Sequence, residues 1–170
     1  MNHSVQRVVV GVDGSAGSLV ALRRAAAEAR RHGAELRPVF IYSSPQGDYI
    51  DMLWPPDERT ARELAHQARD DLHEACVCGL GGEPDGLRYS EAVVRGQTGP
   101  ALVSSAAEDG DLLVVGGGSH GAVHHFFTGS VTRYCLRHAR GPVLVVPPTG
   151  ARHREPEQER ERAATARRDR

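Results

Sequence analysis

The sequence predicts an α/β domain, a single doubly wound, five-stranded, mostly parallel sheet with helices on both faces. Two observations carry this. Short apolar runs bounded by glycine, proline or aspartate alternate with longer stretches whose apolar residues recur every three or four positions. The runs are rich in valine and little interrupted by polar residues, as suits strands covered on both faces. Strands alternating with helices need crossover connections, and such connections build parallel sheets between helix layers.

Taken in order, Arg7 to Val12 is the first strand, ended by the turn chemistry of Asp13-Gly14-Ser15. From about Gly17 to Arg31, Leu19, Leu22, Ala26 and Ala29 form a helical stripe, closed by Gly33. Leu36 to Tyr42 is the second strand, although Pro38 cannot donate to a ladder. A loop from Ser43 to Pro56 follows, carrying Pro45, Gly47, Pro55 and the sole tryptophan, Trp54. Asp57 or Thr60 then opens a helix to about Cys78, with Leu64, Ala68, Leu72 and Ala75 on one face. After a glycine-rich loop, Leu87 to Val94 is the third strand. Thr98, before Gly99 and Pro100, reads as the cap of a helix running to about Glu108. Leu112 to Val115 is the fourth strand, and Gly129 to His138 is the last helix. Val143 to Val146 is the fifth strand, expected at a sheet edge and closed by Pro147 and Pro148. The order βαβ-loop-αβαβαβ is Rossmann-like. It defines a domain over residues 1–148, followed by a charged tail over 149–170. From Ala151 onward twelve of twenty residues are charged and none is apolar beyond alanine, so the tail is expected to be disordered.

Composition bounds the chemistry. A chain of 170 residues fits one domain. A chain of this size buries roughly 68–70% of its unfolded surface and needs no metal or disulfide staple. With 21 basic and 22 acidic residues the net charge is -1, so no global field draws the protein to nucleic acid or an anionic membrane. No apolar run approaches the roughly 18 residues of a membrane span, and Gly11 and Asp13 end the first run too early for a secretory segment. Three cysteines, with Cys76 and Cys78 in CxC spacing and Cys135 distant, fit a reduced cytoplasmic protein better than a zinc or redox site. All 21 basic residues are arginine. The absence of lysine excludes a Walker-A lysine, Schiff-base chemistry and a lysine general base.

In open parallel sheets, ligands bind beyond the carboxyl ends of the strands, where strand order reverses. Two segments have that location. The first is Val10-Gly11-Val12-Asp13-Gly14-Ser15, where Asp13 can cap the helix or accept from a ribose hydroxyl or an adenine amino group. The second is the loop from Gly116 to Gly121 with Gly129-Ser130-Val131 opening the last helix. Glycines there let backbone amides approach phosphate oxygens, and a helix N-terminus adds free N–H groups and partial positive charge. His120, His124 and His125 lack an acidic or cysteine partner nearby, so no metal site is expected and phosphate contacts suit them better. His66 and His73 read as helix-surface positions, as do the paired carboxylates Asp70-Asp71, with Glu108-Asp109 in a loop. No nucleophile–base pair emerges, no catalytic residue is assigned, and the protein is not expected to be an enzyme.

Both segments resemble the universal stress protein family, which has a strand-one VxVDGS and a late G-x2-G-x9-G-[ST] phosphate loop. The ending Arg137-His138-Ala139-Arg140-Gly141-Pro142-Val143-Leu144-Val145-Val146 is similar as well, and the likeness runs from about Arg7 to Pro147. It implies a five-stranded α/β homodimer, paired through Val143, Leu144, Val145 and Val146, and one subset of the family binds ATP. On that resemblance Asp13 would contact the adenosine, with Gly11 and Val12 beside it and Ile41 lining the adenine. Gly116, Gly129, Ser130 and Val131 would surround the phosphates, with Ser119 carried over at a mismatched position. Gly116-x2-Ser119-x9-Gly129-Ser130 keeps the family spacing with a serine as its second glycine, whereas Gly118-x2-Gly121 restores both glycines but leaves seven residues before Gly129. Ser119 would cost about 1–2 kcal/mol if its position needs a positive φ. The expected function is a cytoplasmic stress-response sensor or regulator that binds ATP, with or without Mg²⁺. The alternative is a dimer of the same fold that has lost ATP binding and works through protein partners. Turnover of a nucleotide would need Mg²⁺ to do most of the chemistry.

Overall fold

The computed structural model describes residues 4–43, 47, 53–82, 84–117 and 129–147. The elements run β1 (Arg7–Gly11), α1 (Ala16–His32), β2 (Glu35–Tyr42), α2 (Glu58–Leu80), β3 (Ala92–Arg95), α3 (Thr98–Ser105), β4 (Asp111–Gly116), α4 (Ser130–His138) and β5 (Val143–Val146). Five strands form one sheet in the order β3-β2-β1-β4-β5, and every neighbouring pair is parallel. β5 lies at an open edge, as expected. The charged tail and His120, His124 and His125 lie outside the described residues.

The valines of β1 alternate between two cores. Val8 and Val10 face Leu22, Ala25, Leu72 and Cys76, so α1 and α2 cover one face. Val9 faces Leu102, Leu113 and Cys135, so α3 and α4 cover the other. The period of two thus serves a strand buried on both sides. α1 begins at Ser15, whose hydroxyl accepts the Ser18 N–H at 3.2 Å, and ends at Gly33 with φ 61°. Asp57 caps α2 by accepting from the N–H groups of Arg59 and Thr60, both at 3.0 Å.

Several boundaries differ from expectation, and for the third strand and the end of α3 the reason is tertiary. The third strand is short: only Tyr89 bridges Leu36 before the ladder begins at Ala92. Leu36 directs both its N–H and its carbonyl to that neighbour, bonding the Arg88 carbonyl at 2.8 Å and the Ser90 N–H at 3.1 Å. Alternation along the strand turns the Pro38 nitrogen the same way, and without a hydrogen it leaves the gap. The cap of α3 is Gln97, not Thr98, and no side chain caps it. That helix stops at Ser105, short of Glu108, because the following turn is held from β4. Asp111 accepts the Glu108 N–H at 3.0 Å and takes a two-point bond from Arg7 at 2.9 and 2.7 Å.

Candidate functional site

The strand order reverses between β1 and β4, and there the chain leaves both strands at one end of the sheet. A cleft of about 330 Å³ opens at that point, within the roughly 300–1,000 Å³ of small-molecule sites. Across β1, the β2 side contributes the apolar Val39 and Ile41, and Leu102 of α3 closes beneath them. The β4 side contributes Gly116, Gly117 and the start of α4. One side therefore suits a flat apolar group, and the other offers backbone amides.

Three helices begin at this cleft. α1 presents Ser15, Gly17 and Ser18, α3 presents Thr98, and α4 presents Gly129, Ser130 and Val131. No side chain caps α3 or α4, and the first turn of α4 bonds inward only from Arg133, whose N–H reaches the Gly129 carbonyl at 3.0 Å. The amides of Ser130, Val131 and Thr132 have no intrahelical acceptor, an arrangement suited to an anion. Thr132 is buried and its hydroxyl donates to the Gly116 carbonyl at 3.1 Å, tying the start of α4 to the end of β4.

Asp13 stands exposed at the mouth. Its N–H donates to Ser18 Oγ at 3.3 Å, and its Oδ1 accepts the Ser15 N–H at 3.0 Å. Burial works against its charge, but hydrogen bonds from the Ser15 hydroxyl, from Ser18 and from the Ser15 amide outweigh that, holding the carboxyl below its ordinary range. At neutral pH it is an acceptor only, suited to hydroxyl or amino donors of a ligand.

Of the residues singled out from sequence, Gly11, Val12, Asp13, Ile41, Gly116, Gly129, Ser130 and Val131 come together around this cleft. Ser119 lies outside the described residues. Leu102 and Thr132 were not foreseen. Leu102 has no sequence signal beyond its apolar character, and it arrives because α3 packs against the end of β1. Thr132 had one available signal, a hydroxyl two residues into an uncapped helix start.

The other groups weighed from sequence lie elsewhere. His66 is exposed and meets Asp70 at 2.9 Å, and His73 is exposed 3.3 Å from Glu91. Cys76 and Cys135 are buried, Cys78 is exposed, and all three are free. Burial pushes the Cys76 thiol up to about 11, which makes it a poor nucleophile. Among the described residues no group of three or more potential ligands is placed to hold a metal, and no helix is long and apolar enough to cross a membrane.

The model of the universal stress protein family matches residues 4–147. The chain is similar to a universal stress protein of Mycolicibacterium smegmatis, 32% identical over 145 residues, covering 82% of this chain and 47% of that protein. It thus spans about half the length of the first curated relatives it matches. Similarity to a Thermus aquaticus universal stress protein, at 32% identity, covers 82% of this chain and 96% of that one. Among solved structures, a universal stress protein in complex with cAMP is similar at 29% identity and a TM-score of 0.54, over 86% of this chain and 99% of that one.

Proposed function

The chain belongs to the universal stress protein family, and from that premise we propose that it binds an adenine nucleotide, ATP with or without Mg²⁺, and acts as a stress-response sensor or regulator. The observation that carries the reading is the convergence of an ionised Asp13, an apolar wall and an uncapped helix start on one cleft at the switch point of the sheet. The apolar Val39 and Ile41 take the base, Asp13 accepts from the ribose or the adenine amino group, and Gly116 with Ser130 and Val131 takes phosphate. The solved relative at 29% identity that holds cAMP supports the same ligand class.

The mechanism is occupancy. A bound nucleotide bridges the end of β1 to the start of α4, and it signals only through differential affinity for two states of the protein. Turnover is not part of this reading: Asp13 is the sole ionisable group among the described residues of the cleft, and its low pKa makes it a weak base at neutral pH. The protein pairs as a homodimer through the open edge of β5 and works in the cytoplasm, where its free thiols suit a reducing compartment.

Calorimetry of ATP, with and without Mg²⁺, on protein freed of co-purified nucleotide tests the reading, with Asp13→Ala alongside. Micromolar binding in the wild type, weakened by more than about tenfold in the variant, is expected. No binding up to millimolar ATP would refute it. Ser119, standing where the family pattern has glycine, favours the second reading, a dimer without nucleotide that works through protein partners. Binding created by Ser119→Gly where the wild type has none would establish that one.

A further inference from the structure

We propose that the outward face of α4, carrying Arg133, Leu136, Arg137 and, just past its end, Arg140, is a docking surface for an acidic segment of a partner protein. The proposal is independent of the nucleotide reading above, since none of the four residues lines the cleft. α4 turns Thr132 and Cys135 into the core. That leaves Arg133 and Arg137, at i and i+4, one above the other on the opposite side, about 6 Å apart along the axis. Both are exposed, as is Arg140 two residues beyond the helix. Leu136 stands 51% exposed beside them, a large apolar side chain that nothing in the fold covers.

The positive charge of this face is uncompensated. From Leu112 to Pro147 the sequence holds these three arginines and neither aspartate nor glutamate. α3, which packs beside α4, carries no charged residue. Asp111, on the strand next to β5, gives both carboxylate oxygens to Arg7. Among the described residues no acid pairs with Arg133, Arg137 or Arg140. The other helix layer is built differently: Arg24 and Arg31 meet Glu28, Arg59 meets Glu63, and Arg62 meets Glu58, each within its own helix. A guanidinium takes carboxylate or phosphate equally well in a two-point bond, so the arginines alone ask only for an anion. Leu136 and the spacing decide between the two. Carboxylates four residues apart on a partner helix repeat the rise from Arg133 to Arg137, and an apolar residue between them covers Leu136. A nucleic-acid backbone offers charge along its whole length and nothing apolar for that leucine.

The test is fluorescence anisotropy on the full chain at low salt with two labelled probes, a helical peptide of Glu-x-x-Leu-Glu repeats and a short DNA duplex. Micromolar binding of the peptide is expected, lost when its glutamates are replaced by glutamine and weakened by added salt. Arg133→Gln/Arg137→Gln/Arg140→Gln should weaken it by about tenfold or more, and Leu136→Ser by a smaller factor. Arg59→Gln/Arg62→Gln, on the internally paired α2, should match wild type. All these positions are exposed, and an unchanged urea midpoint confirms that each variant folds. A wild type that binds no peptide at low salt would overturn the proposal. Equal losses in the α4 and α2 variants would also overturn it, by showing a diffuse charge effect. Tighter binding of the duplex, lost in the same α4 variant, would replace the acidic protein by nucleic acid. A change of mass in the α4 variant by light scattering would assign the face to contact between copies of this chain, against the proposal. Peptide binding that appears only after Glu155, Glu157, Glu159 and Glu161 are replaced by glutamine would overturn it in favour of the chain's own tail.

Discussion

Substituting Gly116 by alanine tests whether the end of β4 and the start of α1 are held in contact at the floor of the cleft. A Cβ built there would lie 3.0 Å from the Gly17 carbonyl oxygen, 3.2 Å from its carbon and 3.6 Å from the Ser18 nitrogen. All three atoms are backbone, so the strain cannot be relieved by turning a side chain. Overpacking of this kind costs about 1–3 kcal/mol, and alanine returns about 0.4–1 kcal/mol by restricting the unfolded chain. Gly116 has no positive φ, so no conformational penalty is added. The net expectation is a loss of about 1.5 kcal/mol. Gly11 provides the internal comparison. Its added Cβ meets Leu102 methyls at 3.0 and 3.1 Å, the mobile end of a side chain, so Gly11→Ala should change stability by less than about 0.5 kcal/mol. With a urea slope of about 2 kcal/mol/M, Gly116→Ala should lower the unfolding midpoint by about 0.7 M at unchanged slope, and Gly11→Ala should barely move it. The order of the two variants decides the matter. A Gly116→Ala protein as stable as wild type, or a Gly11→Ala protein less stable than it, would show that the close approach is not what the glycine is for.

Two further expectations concern the edge and the acid limb. Pairing of β5 with β4 uses the Pro142, Leu144 and Val146 carbonyls, which leaves the N–H groups of Val143 and Val145 directed to the open edge. Val145→Pro therefore removes an outward donor without breaking the β4 ladder, and light scattering should show the proposed dimer dissociating at lower dilution than wild type; an unchanged mass across the dilution series would contradict pairing through this edge. Glu28 is buried on α1, with Arg24 Nη2 at 2.8 Å and Arg31 Nε at 2.8 Å. Burial opposes its charge, but the Arg31 hydrogen bond and the charges of Arg31, Arg24 and His32 hold its carboxyl below the ordinary range. A depressed folded pKa means this stability is present above the unfolded value near about 4.3 and is lost as pH falls through the folded value. Urea midpoints from pH 7 to 3 should show Glu28→Gln trailing wild type at neutral pH and converging with it below about pH 4; a gap independent of pH would assign Glu28 a packing role instead.

Much of this architecture was legible locally. The valine run of β1, the stripe of Leu22, Ala26 and Ala29, and Asp57 before α2 each carry their structure in neighbouring residues, because periodicity, capping and turn chemistry act within one or two turns. The candidate ligand groups at the ends of β1 and β4 were legible for the same reason: a glycine-rich exit from a strand is a local signal. What the local chain could not carry was whatever depends on a partner far along it. The strand order β3-β2-β1-β4-β5 places the ends of β1 and β4 side by side, although roughly a hundred residues separate them. Pro38 shortens β3 through a bond it cannot make to a strand some fifty residues later, and Asp111 ends α3 through its grip on Arg7. Leu102 enters the cleft because α3 packs over the end of β1, where its methyls lie against Gly11. The sequence by itself therefore determined which segments are strands and helices and which residue types wait at their ends. Tertiary structure alone decided where those ends meet, because that geometry is set by contacts between segments that no short stretch of sequence encodes.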